Sequence, residues 1–213
     1  MSERHVFSDV AVSVQSALAT AVAISAISQA DPAVVTHAGT GPTNGQLVVL
    51  KVSGMTEVNL RVFEAANVSG TTFELKGEDS QLYGAFSSGT FEVITFGLSL
   101  STVTNITSSG GEYEFEDMTT IHDRARTQQP TIASAVNYTL ENHWGPGNAA
   151  LRALRAASAV KAERAVKITF PNGDYQVFYG NVGAVGILGG SAHGKATESV
   201  SFTSLGLPTS YEA

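Results

Sequence analysis

The chain has 213 residues, a net charge of −7, 21 glycines and no cysteine, with 43% apolar and only 15% charged residues. That length can bury one substantial core, or a medium domain beside a smaller one. The missing cysteines exclude disulfides, thiolate catalysis and thiolate metal sites, while the acidic balance argues against general nucleic-acid or anionic-membrane binding.

At the start, Arg4 and His5 precede the apolar stretch ALATAVAISAI (17–27), the outline of a secretory leader. Asp9 and Gln15 interrupt the approach, and DVAVSVQSA alternates apolar with small polar residues as a strand does. The segment is therefore read as strand, and the chain is expected in a bacterial or host cytoplasm before it joins an assembly. No apolar run reaches the roughly 18 residues that a membrane helix requires.

Residues 24–96 form a distinct block. AVVTH, QLVVLKVSG, LRVFEAANV and TTFELKG are short runs divided by GTGPTNG, GMTEVN and NVSG, which predicts a small barrel or sandwich. Seven acidic residues against three basic ones make the block mildly acidic. Its only grouped aromatics beside polar residues are Tyr83 and Phe86, the sort of pair a sugar-binding surface displays.

From Gly97 the pattern continues with LSLSTVTNITSSGGEYEFEDMTTIHD, a strand, a glycine turn and a second alternating strand. In EYEFED, Glu112, Glu114 and Glu116 share one face of an extended strand, with Tyr113 and Phe115 on the other. A regular acidic stripe of this kind marks a solvated face more readily than an acid–base pair, which needs one carboxyl desolvated beside another. ASAVNYTLENHW alternates again, and GPGNAALRALRAASA predicts the single convincing helix, with Asn148 as its N-cap and Leu151 and Leu154 on one face. Arg152 and Arg155 stand beside that face. Residues 124–167 hold seven basic residues against Glu141 and Glu163, without the interleaved aromatics of a nucleic-acid platform. Complementary patches between identical subunits are the economical reading, with a solvated helix surface as the plain alternative.

VKITFPNGDYQVFYGNV (166–182) is a β-hairpin. Val166, Ile168 and Phe170 point one way and Lys167 and Thr169 the other, and Phe170-Pro171-Asn172-Gly173 suits a tight turn. Lys167, Thr169 and Gln176 are assigned to a moderately polar face. The Gly-rich GILGGSAHGK then leads to a last strand, ESVSFTSLG, and LPTSYEA is read as an arm because Pro208 discourages pairing.

Gly189 to Lys195 fits the phosphate-loop spacing GxxxxGK, but Ala196 stands where a magnesium-holding Ser or Thr is required and a strand follows where a helix should open. The five histidines show no metal-ligand spacing, His122-Asp123 reads as a turn, and no serine sits in a nucleophile elbow. No catalytic, cofactor or metal residue is assigned.

AVKITFPNGDYQVFYGNV, with the Gly-rich connector, the final Val-Ser-Phe strand and GLPTS, resembles the major tail tube proteins of long-tailed, non-contractile, lambda-like bacteriophages. Upstream, TVTNIT and EFEDMTTIHDRARTQQP are similar to the first core strand and acidic loop of that family. NYTLENHW and GNAALRALRAA are similar to its strand leading into a single helix. The resemblance covers about 98–213 and is strongest over 163–182 and 117–123. Block 24–96 resembles a different unit, the small β-barrel named after the first catalytic cysteine half-domain of ubiquitin-activating enzymes, which recurs as an insert in phage structural proteins.

These resemblances imply a mainly β protein, a tail-tube β-sandwich or barrel with one α-helix plus an inserted small β-barrel. Residues 1–23 would supply an N-terminal arm and a strand of the tube domain, 24–96 the insert on the tube exterior, and 97–213 the tube core with a C-terminal arm. The function implied is structural, with no enzymatic activity and no cofactor. Hexameric rings would stack into a long tail tube in the virion, assembled in the host cytoplasm, with tape-measure, terminator and distal tail proteins as partners. Phage DNA would cross the lumen unbound, and no membrane is involved. Glu112, Glu114, Glu116 and Asp117 are candidates for lumen or inter-ring positions, and Arg124, Arg126, Arg152 and Arg155 for contacts between subunits. A virion-surface adhesion or carbohydrate-binding module is the alternative.

Overall fold

The computed structural model describes residues 7–183 and 186–213. Residues 2–6 of the expected N-terminal arm lie outside the described residues. In chain order, β1 (Ala11–Leu18) is followed by β2 (Val22–Ile27), β3 (Val34–His37), β4 (Leu47–Ser53), β5 (Val62–Ser69), β6 (Thr72–Leu75) and the long β7 (Ser88–Ser99). Then come β8 (Val103–Ser109), β9 (Tyr113–Asp117), β10 (Gln128–Ala133), β11 (Asn137–His143), the helix α1 (Ala149–Ala159), β12 (Glu163–Thr169) and β13 (Tyr175–Val182). The chain finishes with β14 (Leu188–Gly189), β15 (Thr197–Ser204) and β16 (Thr209–Tyr211). The molecule is mainly β with one α-helix among the described residues.

Strands β2-β3-β6-β5-β4-β7 form a six-stranded barrel, closed because β2 also pairs with the first part of β7. Its strands are short and rich in β-branched and aromatic residues, and alternate side chains fill the interior. Phe63, Phe73, Phe91, Leu50, Met55 and Leu75 are fully buried there, with the Phe73 and Phe91 rings edge to face at 5.1 Å. β7 stays paired with β4 as far as Ile94, and from Ile94 to Ser99 it pairs with β1. The expected border at residue 96 falls inside this one strand.

The second half of the fold is a continuation of the same sheet, β7-β1-β12-β13-β15-β11-β8. One of its faces holds a core of Val12, Val14, Leu140, Val166, Phe178 and Phe202, packed with Leu151 and Leu154 of α1. The helix begins where the Asn148 side chain accepts hydrogen bonds from the backbone amides of Ala150 and Leu151. Two of the orphan amides of the first turn are thereby satisfied.

The β12–β13 hairpin closes on the turn that its sequence specifies. The Gly173 amide donates to the Phe170 carbonyl at 2.9 Å and Gly173 takes φ +97°, a conformation that a Cβ would strain. Its faces differ from expectation in one respect. Register pairs Gln176 with Ile168, so Gln176 lies on the helix side, where its amide oxygen accepts from the Tyr138 hydroxyl at 3.3 Å. The opposite face, assigned as polar, is covered. Ala165, Val177 and Tyr179 are buried there against Leu47, Val49, Val62 and Ile94 of the barrel. The Lys167 ammonium fits this environment by standing 3.8 Å from the centre of the Tyr175 ring.

The C-terminal segment runs through the same interface. Instead of standing free as an arm, β16 pairs with β13 at Tyr175–Tyr211 and Val177–Thr209. The Thr209 hydroxyl donates to the Val62 carbonyl at 2.6 Å, and the Tyr211 hydroxyl accepts from the Glu64 amide at 3.0 Å. Pro208 sits just outside the paired stretch, where its missing amide costs nothing. Glu64 also accepts a hydrogen bond from the Tyr175 hydroxyl and pairs with Lys76 at 3.0 Å. The last residues thus strap barrel to sheet.

Burial, and then the hydrogen bonds to Glu163 and Glu64, raise the phenols of Tyr179 and Tyr175 well above the ordinary tyrosine value of 10.0. In the unfolded chain these groups lose their protons near pH 10, while the folded chain still holds them. Stability is therefore expected to be level below that pH and to fall as pH rises through it. For the buried Tyr179 the slope approaches about 1.4 kcal/mol per pH unit. Urea midpoints between pH 8 and pH 11.5 check this, with Tyr179→Phe flattening the decline.

Candidate assembly interface

Strand β8 pairs with β11 alone, so among the described residues its outer edge carries no strand. The same two chain segments continue past the body as a second ribbon, β9 with β10, which forms a separate two-stranded sheet. The corner between them is built from glycine. Gly110 and Gly111 take φ +89° and +86°, and a Cβ on Gly110 would collide with the Ala135 carbonyl oxygen. The Gly111 amide donates to Ser134 and the Ser134 amide to Glu112, so hydrogen bonding resumes immediately beyond the bend. Gly110→Ala is expected to cost on the order of 1–3 kcal/mol through φ strain and this collision, read as a lowered urea midpoint.

Every residue of β9 is exposed. Register places Phe115 opposite Pro130 and Tyr113 opposite Ala133 on one face, and Glu116 opposite Gln129 on the other. The sequence alternation is thus real, but neither face covers a core. Tyr113 is 55% and Phe115 62% exposed, and Ile121 in the connecting loop is 96% exposed. Glu112, Glu114 and Glu116 follow one another along the acidic face. The Thr119 hydroxyl and then its amide hold the Asp117 carboxyl below the usual carboxylate range. His122, Arg124 and Arg126 lie exposed in the loop, where the Asp123 carboxylate accepts from the Thr120 amide and hydroxyl.

The remaining motifs have structural explanations. The GxxxxGK run begins at Gly189, the last residue of β14, and continues through the loop into β15, so a strand follows it. Tyr83 donates to Glu78 at 2.7 Å and Phe86 packs against the barrel core, so this pair makes no open aromatic platform. Among the described residues no three histidine, aspartate or glutamate side chains gather as a metal site, and no helix is long and apolar enough to cross a membrane.

A family model described as phage tail tube protein, TTP, matches residues 53–213, from the end of β4 to the last residue. The chain belongs to the phage tail tube protein family. No curated protein matches it. As a tail tube protein it is a structural, non-enzymatic component of the phage tail that assembles with itself and with other tail proteins.

The basic residues of this tail tube protein divide by position. Arg155 is engaged within the chain, its guanidinium 2.5 Å from the buried carboxylate of Glu198 on β15. Arg152, one turn earlier on α1, is exposed, as are Lys161 after the helix and Lys195 before β15. Large apolar side chains that sequence patterning did not single out are also exposed within residues 144–188. Trp144, Val160, Ile187 and Leu188 are all exposed. They occur in turns, at loop ends and in the two-residue β14, where no periodicity flags them.

Proposed function

We propose that the chain polymerises as stacked hexameric rings into the tail tube through which the phage genome passes into the host. The observation that carries this reading is the open edge of β8 in a fold whose other half is closed. An unpaired edge on a soluble protein invites association with another strand, and identical copies arranged around an axis remove it. The acidic net charge of the chain suits a channel for DNA, because a wall that repels phosphates leaves the genome free to slide. The protein is made in the host cytoplasm. Tape-measure, terminator and distal tail proteins meet the ends and interior of the tube.

The barrel is proposed as an inserted module over residues 24–96, of the ubiquitin-activating-enzyme half-domain type, carried on the tube exterior. Its capacity to close its own sheet supports a unit that decorates the wall without completing it. The β9–β10 ribbon, with Glu112, Glu114, Glu116, Asp117, Arg124 and Arg126, is proposed as the element that reaches neighbouring copies.

Negative-stain electron microscopy of the concentrated protein, with and without tail initiator complexes, tests the reading. Hollow filaments of uniform width are expected, with six-fold symmetry in end views. A compact monomer under all these conditions refutes it.

A further inference from the structure

A cleft of about 560 Å³ lies at the joint between barrel and sheet. Its lining comes from three places. The barrel supplies Thr56 and Glu57 of the turn between β4 and β5, then Asn59, Arg61 and Tyr83. The stem of the β9–β10 ribbon supplies Tyr113 and Ala133, which are register partners, so that face of the stem is turned to the cleft. The bend Ser204–Leu207 between β15 and β16 supplies the rest of what is used here. This bend is pressed onto the barrel: a Cβ on Gly206 would stand 2.9 Å from the Leu60 carbonyl oxygen, so glycine is required. The cleft is therefore formed before any ligand arrives, and clefts of this size where two folded units meet are common places for small molecules to bind.

Chemistry narrows the ligand. Glu57 and Arg61 are the only charged side chains in the lining among the described residues. Both terminal nitrogens of Arg61 are taken by Glu78, at 2.5 and 3.2 Å, and one also donates to the Glu57 carbonyl. No free cation is left for a phosphate or carboxylate. The backbone amides of Asn59, Arg61, Ser134, Ser204 and Leu205 are bonded within the chain, so a peptide finds no open strand to pair with. What the cleft offers is the hydroxyls of Thr56 and Ser134, the side-chain amide nitrogen of Asn59, the Glu57 carboxylate and two phenol rings. One Glu57 oxygen accepts from the Gly84 amide at 3.2 Å and the other is open to a ligand. A purely apolar molecule would strand these groups.

We propose that this cleft binds a neutral oligosaccharide, with Tyr113 against the face of one pyranose ring and Glu57, Asn59 and Ser134 bonding its hydroxyls. The C–H face of a sugar is weakly positive and the face of a phenol ring negative, so the two attract beyond the area they bury. Tyr113 is 55% exposed and covers no core, so it is free to take up that contact. Tyr83 is held in place by its hydrogen bond to Glu78 at 2.7 Å and serves as fixed wall. All of the lining belongs to one chain, so the site exists without assembly. Its repetition along a tail rests on the tube reading, and there many weak sites in a row would hold a glycan-coated surface far more firmly than one does.

Saturation-transfer NMR on the full chain tests this with maltotriose, cellotriose and tri-N-acetylchitotriose, and with choline and trigalacturonate as charged controls. Saturable binding of at least one neutral sugar is expected, with a Kd on the order of 1 mM, and none of the controls. Tyr113→Ala is expected to weaken it about tenfold, and Glu57→Ala by a similar factor. Both positions are exposed, so the variants retain the fold. Phe115→Ala, on the same face of the ribbon but outside the cleft, should leave binding unchanged. No signal from any of the three sugars overturns the inference, as does binding of choline in their place. Binding that survives both Tyr113→Ala and Glu57→Ala, or that Phe115→Ala weakens equally, also overturns it. Each of these results leaves the tube reading standing, and failure to form filaments leaves the cleft standing.

Discussion

Arg155→Ala is expected to destabilise the folded chain by about 3–5 kcal/mol, the range seen when one partner of a buried ion pair is removed. The reason lies with the partner. Glu198 has no exposed side-chain surface and only one of its oxygens is paired, by Arg155 at 2.5 Å. Removing the guanidinium leaves a carboxylate inside the sheet with nothing to offset its lost hydration. Exchange of both residues, Arg155→Leu with Glu198→Leu, removes that unpaired charge and is expected to recover most of the loss. Arg152→Ala, on the solvent side of the same helix, should stay within about 0.5 kcal/mol of the natural chain. Urea unfolding of the four proteins separates an internal role for Arg155 from the intersubunit role open to Arg152.

Tyr211→Ala is the second large effect, at about 3–5 kcal/mol for loss of a buried aromatic side chain. The ring lies between barrel and sheet, 5.2 Å from the Tyr175 ring, and its hydroxyl receives the Glu64 amide. Tyr211→Phe keeps the packing and strands that amide, for about 1–3 kcal/mol. The larger substitution should also change the form of unfolding. With the strap intact, barrel and sheet share the core of Leu47, Val49, Val62, Ile94, Val177 and Tyr179 and should melt together in calorimetry. Without Tyr211, a separate lower transition for one half is expected. A single undivided transition of unchanged midpoint counts against the strap.

Much of the fold was legible in the sequence because it is local. The turn at Phe170–Gly173, the Asn148 cap and the alternation of β12, β13 and β15 each follow from a few neighbouring residues. The barrel was legible as a class from short β-rich runs at even spacing. What escaped depends on partners far away in the chain. Nothing near Thr209–Tyr211 reveals that β13 and β5 are waiting for it, and Pro208 read locally as a stop. Likewise, alternation in β9 shows which side chains share a face, but whether anything covers that face is a property of the surroundings. Arg155 and Arg152 look alike in sequence, and only the position of Glu198 across the sheet distinguishes them.

Strand β7 gives the two halves a mechanical relation. Its first residues are staves of the barrel and its last residues are hydrogen-bonded to β1 in the other half, with no linker between. A sideways load on the barrel is therefore carried along a strand whose hydrogen bonds lie across the pull and share it. The barrel is thus held to the sheet as a stiff rib and not on a hinge.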